Sequence, residues 1–140
     1  MITLRYEPTD PKAPDTARRL DGTVYARNET DAAIDLEFRA FAGFQLEWRL
    51  VRSDGVAFLA TFYPPPMPPP GGIPQRALHI APRAEIEVAT LYSGISGFFD
   101  EARGHQSFAP LPAGRYEVVI GRIDLGTGPL SCAPFTLLVE

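Results

Sequence analysis

The chain has 140 residues, 45% of them hydrophobic, and a formal net charge of −4. That length suits one domain able to bury a core without covalent staples, and the acidic balance excludes the basic face that a nucleic-acid backbone requires. The lone Cys132 excludes an intrachain disulfide, and no apolar run approaches the roughly 18 residues of a membrane-spanning helix, so no membrane partner is expected.

The N-terminus, Met1-Ile2-Thr3-Leu4-Arg5-Tyr6-Glu7, has no basic head followed by an apolar stretch, which reads as a cytoplasmic protein without a secretory leader. Beyond it, hydrophobicity repeats every two residues. Ile34, Leu36 and Phe38 alternate with Asp35, Glu37 and Arg39; Leu46, Trp48 and Leu50 with Gln45, Glu47 and Arg49; Ile86 and Val88 with Glu85 and Glu87; Tyr116, Val118 and Ile120 with Arg115 and Glu117. Successive strand side chains point to opposite faces, so each run predicts a strand with one dry and one wet side. Strands are predicted over 2–7, 20–28, 33–40, 44–52, 56–62, 76–80, 84–91, 115–123 and 133–139, with Trp48 as a core anchor. Turn chemistry falls between them at Asn28 to Asp31, Ser53-Asp54-Gly55, Ala81-Pro82-Arg83, Pro110 to Gly114 and Gly126 to Pro129. Asn28-Glu29-Thr30 also matches the N-glycosylation pattern, but without a leader it reads as a plain turn. Thr9 to Ala17, rich in Pro and Asp, predicts a crossing loop.

Tyr63-Pro64-Pro65-Pro66-Met67-Pro68-Pro69-Pro70-Gly71-Gly72 is a low-complexity run inside a predicted Pro-rich loop over 63–74. Consecutive prolines fix φ and remove donors, which keeps this stretch out of any ladder and favours polyproline II. Its PxxP spacings, Pro65 to Pro68 and Pro66 to Pro69, fit an aromatic groove on a partner. Tyr63 and Met67 would widen that contact or meet a second copy. A stiff connector between sheets is the alternative.

Gly94, Gly97 and Gly104 predict a second irregular segment, a long loop over 92–110 with one helical turn near Phe98 to Arg103. Its aromatics Tyr92, Phe98 and Phe99 are candidates for contact with a carbohydrate or small molecule. Asp100, Glu101 and His105 bring oxygen and imidazole donors into the same loop, at a spacing that matches no metal motif, and no cofactor is expected. Gly94-Ile95-Ser96-Gly97-Phe98 has Phe98 where a nucleophile elbow needs its second glycine, and no strand-to-helix unit follows. His79 faces outward by alternation, and Cys132 has no neighbouring base in sequence and reads as a buried thiol. These residues compose no catalytic set.

Leu111-Pro112-Ala113-Gly114-Arg115-Tyr116 places a Tyr two residues after a Gly at the start of a late strand, the arrangement that pins a corner of a β-sandwich. In order, Asn28-x-Thr30-Asp31, Ile34-x-Leu36-x-Phe38, Asp54-Gly55-x-Ala57-Phe58, Leu78-x-Ile80-x-Pro82 and Leu111-x-Ala113-Gly114-x-Tyr116-x-Val118 form a series of turns and core positions. Over about residues 20–122 this series resembles the immunoglobulin-like sandwich of the bacterial intracellular proteinase-inhibitor domain and related immunoglobulin-like accessory domains. The Pro-rich run, the 92–106 insertion and Phe58, where a Trp-rich segment is expected, depart from that pattern, and no reactive-site residue carries over. The predicted architecture is all-β: one immunoglobulin-like antiparallel β-sandwich over 1–140, of about seven to nine strands. The predicted function is a non-catalytic module that binds another protein, with a proteinase-inhibitor-like role implied by the resemblance and self-association also open. Carbohydrate or small-molecule binding through loop aromatics, and a metal-dependent enzyme built on Asp100, Glu101 and His105, are the alternatives.

Overall fold

Alternating runs bounded by turn residues become strands wherever the structure, a computed structural model, describes the chain: residues 1–9, 20–39, 47–62, 75–93 and 95–139. In chain order these are β1 (Ile2–Pro8), β2 (Leu20–Asn28), β3 (Ile34–Arg39), β4 (Glu47–Arg52), β5 (Ala57–Phe62), β6 (Gln75–Ile80) and β7 (Glu85–Ser93). There follow β8 (Ile95–Asp100), β9 (His105–Ser107), β10 (Gly114–Gly121), β11 (Ile123–Asp124), β12 (Pro129–Leu130) and β13 (Phe135–Val139). The described residues contain no helix.

The strands form an antiparallel β-sandwich. One layer is the three-stranded sheet β1-β2-β7, the other the six-stranded sheet β13-β10-β4-β5-β8-β9, with β3-β6 and β11-β12 as two-stranded pairs. Facing side chains fill the space between layers. Leu4, Tyr6, Val24, Ala26 and Val88 come from the first sheet; Trp48, Leu50, Phe58, Tyr116, Val118, Ile120 and Leu137 come from the second. Tyr6 crosses the gap to meet Trp48 edge-on at 5.9 Å and Phe135 at 4.6 Å between ring centroids, geometries that aromatic quadrupoles favour. Gly22 makes room for this ring, since a Cβ there would stand 2.4 Å from Tyr6 Cζ. The segment around Cys132 closes one edge: Cys132 N–H donates to the Ile120 carbonyl at 2.8 Å and Ala133 N–H to the Leu4 carbonyl at 2.9 Å. One short segment thus ties β10 to β1 and covers the β1 edge of the three-stranded sheet.

Three local devices stand at predicted turns. In the β4–β5 hairpin, Gly55 N–H donates to the Arg52 carbonyl at 2.8 Å and Arg52 N–H to the Val56 carbonyl at 2.9 Å. Gly55 takes φ 89°, the left-handed conformation that a three-residue hairpin loop needs and that glycine adopts without penalty. The Tyr116 hydroxyl donates to the Pro112 carbonyl at 2.7 Å, so the corner entering β10 is pinned as its sequence predicts. Asn28 is fully buried. Its Nδ2 donates to the carbonyls of Ala32 (2.7 Å), Ile80 (3.2 Å) and Ala81 (3.2 Å), and its Oδ1 accepts from Thr30 N–H (2.9 Å) and Oγ1 (2.7 Å). One amide therefore knits the β2–β3 turn to the end of β6. In this fold the amide nitrogen that a glycan would need is enclosed.

One prediction is corrected. The 92–110 segment, read as a long loop with a helical turn, is instead mostly strand: β7 runs on to Ser93, β8 occupies Ile95–Asp100, and a tight turn leads to β9. Its glycines mislead because the backbone partners come from elsewhere. β5 supplies one whole ladder, pairing Leu59 with Phe99 and Thr61 with Gly97, and tertiary pairing overrides weak strand propensity.

Candidate functional site

The residues singled out from sequence go to different places. Tyr63, Pro65, Met67 and Pro68 lie outside the described residues. Tyr92 is carried on β7, opposite Asp21 of β2. Phe98 is not a loop aromatic: it is buried in the core, edge-on to Phe58 at 4.9 Å. Phe99, its neighbour on β8, points the other way and is half-buried on the sheet's outer side. Phe98 and Phe99 therefore form no paired platform, since the two rings lie on opposite faces.

Asp100, Glu101 and His105 do share one hairpin, but each carboxylate is engaged. Asp100 Oδ1 accepts from Ala102 N–H at 3.0 Å and Arg103 N–H at 3.2 Å, shaping the turn. Glu101 is held by Arg49 through two contacts of 3.3 and 3.1 Å. His105 is exposed. Among the described residues no three His, Cys, Asp or Glu side chains are placed to hold a metal ion.

The outer faces of the two layers differ in kind. On the three-stranded sheet, Arg5 donates to both oxygens of Glu85 (3.0 and 2.6 Å) and to Glu7, with its guanidinium 4.4 Å from the centre of the Tyr25 ring. Hydrogen bonding to Glu85 raises the Arg5 pKa, and the same bond holds the Glu85 carboxyl below its usual range. Arg27 pairs with Glu29 at 3.2 Å and Thr3 Oγ1 donates to Glu29 at 3.0 Å. This face is polar and internally paired.

The six-stranded sheet presents something else. Its registers align an outward row Val119–Arg49–Leu59–Phe99–Gln106 across five strands. Beside it runs Thr136–Glu117–Val51–Ala57. Leu138, directly across β13/β10 from Arg115, is 58% exposed. Half-buried apolar side chains thus occupy the middle of a rigid, solvent-facing sheet, with charged groups around them. Among the described residues every buried side-chain nitrogen and oxygen has a hydrogen-bond partner, so no unsatisfied polar group marks an internal ligand site there.

An open depression of about 490 Å³ lies on β3 and β6, lined by Asp35, Leu36, Glu37, Ala77, Leu78 and His79. His79 Nδ1 stands 2.7 Å from Asp35 Oδ1, with both side chains largely exposed. The six lining residues include no hydroxyl or thiol that such a His–Asp pair could activate. Cys132 is distant from this chemistry in character, since burial pushes its thiol up to about 12 and keeps it protonated.

Comparison with protein-family models, with curated proteins and with solved structures gives no significant match. The outer face therefore carries the functional reading on its own geometry. Sequence reasoning passed over it, although a signal was present. Val118-Val119-Ile120, Ala57-Phe58-Leu59-Ala60 and Phe98-Phe99 break alternation with consecutive apolar residues, which in a two-layer fold means that the outward position is apolar as well.

Proposed function

We propose that this chain is a non-catalytic protein-interaction module whose binding surface is the outer face of the six-stranded sheet. The observation that carries the reading is the aligned outward row Val119–Arg49–Leu59–Phe99: apolar side chains with a charged residue among them, on strands hydrogen-bonded to a neighbour on both sides. Protein interfaces combine an apolar centre with aromatic and arginine contacts and a polar rim in this way. The opposite face, closed by Arg5, Glu7 and Glu85, offers a partner little that is not already paired. Asp100 is occupied within its own hairpin and Glu101 by Arg49 of β4, which supports a binding role over metal-assisted chemistry. A proteinase remains one class of partner through the family resemblance, although no reactive-site residue is carried over.

The test is a matched pair of surface variants. Val119→Arg and Leu59→Asp on the outer face reduce capture of protein partners at least tenfold while the circular dichroism spectrum stays that of the parent. Tyr25→Ala on the opposite face leaves capture unchanged. Equal capture by both sets contradicts the assignment.

A further inference from the structure

On that reading of the outer face, we infer that the partner it fits is a second copy of this chain, docked across a two-fold axis that sets Arg115 of each copy against Glu117 of the other. Arg115 and Glu117 sit two residues apart on β10, both exposed and on the same outward side. Arg5, Arg27, Arg49, Arg52, Arg83 and Arg122 each hold a carboxylate of their own chain. The side chains of Arg115 and Glu117, by contrast, make no hydrogen bond or ion pair among the described residues. Among the described residues they are thus a cation and an anion without a side-chain partner, about 7 Å apart along one strand.

Self-complementarity is what a two-fold interface demands: residue i meets residue j of the partner, and j meets i. An axis crossing β10 at the level of Tyr116 exchanges the two positions, so one operation satisfies both charges in both copies. A ligand of a single sign, acidic or basic, leaves one of them unpaired. The surroundings suit the same operation. Leu138, 58% exposed, lies directly across from Arg115, and Thr136 and Val51 flank Glu117 on either side. Arg49–Glu101 and Arg122–Glu47 bring both signs to the rest of the region, on a chain whose net charge is −4. The face is thus neutral where the remainder of the molecule is acidic, and two copies approach most readily through it. Six strands about 4.8 Å apart and about 17 Å long give on the order of 500 Å² per copy. That is the low end of specific interfaces, so the association is weak and reversible.

Sedimentation velocity of the full chain from about 5 to 500 μM tests this. The parent shifts toward the dimer mass with rising concentration, less so at high salt. Arg115→Glu and Glu117→Arg each weaken association at least tenfold, because each places like charges together. The exchanged double variant, Arg115→Glu with Glu117→Arg, and an equimolar mixture of the two single variants both recover to within about threefold of the parent. A parent that stays monomeric at 500 μM, or a double variant no better than the singles, overturns the inference. If the parent is monomeric while Val119→Arg still abolishes capture of another protein, self-pairing falls and the binding face stands. If dimerisation survives every substitution on this face, both fall together.

Discussion

A single buried amide organises one end of this molecule. Asn28 offers both of its polar atoms to backbone and side-chain partners from two turns while fully enclosed, and nothing else of its size could do the same. Asp would present a carboxylate oxygen to the carbonyls of Ala32, Ile80 and Ala81 in place of a donor. Burying an unsatisfied or repelled polar group costs several kcal/mol. Asn28→Asp is therefore expected to lower the unfolding free energy by about 3 kcal/mol, read as a drop in the urea midpoint with unchanged slope; a loss below about 1 kcal/mol contradicts this role. The sequence marked Asn28 as a turn residue. It could not mark the residue as a bridge, because Ile80 and Ala81 are contributed from 52 and 53 positions away. Tyr116 was legible in full, since its acceptor, Pro112, lies four residues upstream and the turn between them is written in Pro and Gly.

At the scale of elements, local chemistry was readable and non-local pairing was not. Ser53-Asp54-Gly55 makes the hairpin it spells, with Asp54 accepting from the Arg52 guanidinium at 3.0 and 2.7 Å and from Val56 N–H at 3.2 Å. β8 was missed because Gly97 within it and Gly94 and Gly104 around it argue for loop, while the ladder from β5 and the burial of Phe98 argue for strand more strongly. The β1–β7 layer makes an electrostatic prediction of its own. Arg5 holds the Glu85 carboxyl below its usual value, so the folded state binds that proton less readily than the unfolded chain does. Above about pH 5 the carboxylate is charged in both states and the pair contributes fully. As pH falls, the unfolded chain takes up the proton first, and the contribution is gone once pH drops through the folded value. Both side chains are partly exposed, so solvent screening limits the effect to about 0.5–1 kcal/mol. Glu85→Gln is expected to be less stable than the parent by that amount at pH 7, with the difference shrinking as pH falls below the usual carboxylate range. A difference that persists or grows in acid contradicts the pairing.

For the whole molecule, the two layers play unequal parts. The inner faces build one core around Tyr6, Trp48, Phe58 and Tyr116. The outer face of the three-stranded layer is closed by its own ion pairs, and the outer face of the six-stranded layer combines half-buried apolar side chains with charges of both signs. The sandwich and its core followed from alternation. The candidate interface did not, because Leu138, Arg115 and Val51 become neighbours only when β13 and β4 flank β10. Their outward exposure is a property of the assembled sheet. Comparing backbone amide chemical shifts between about 20 μM and 500 μM protein tests the central claim most directly. Concentration-dependent changes concentrated on β10, β4, β5 and β13 are expected, with β1, β2 and β7 silent. Changes confined to the three-stranded sheet, or none at any concentration, would contradict it.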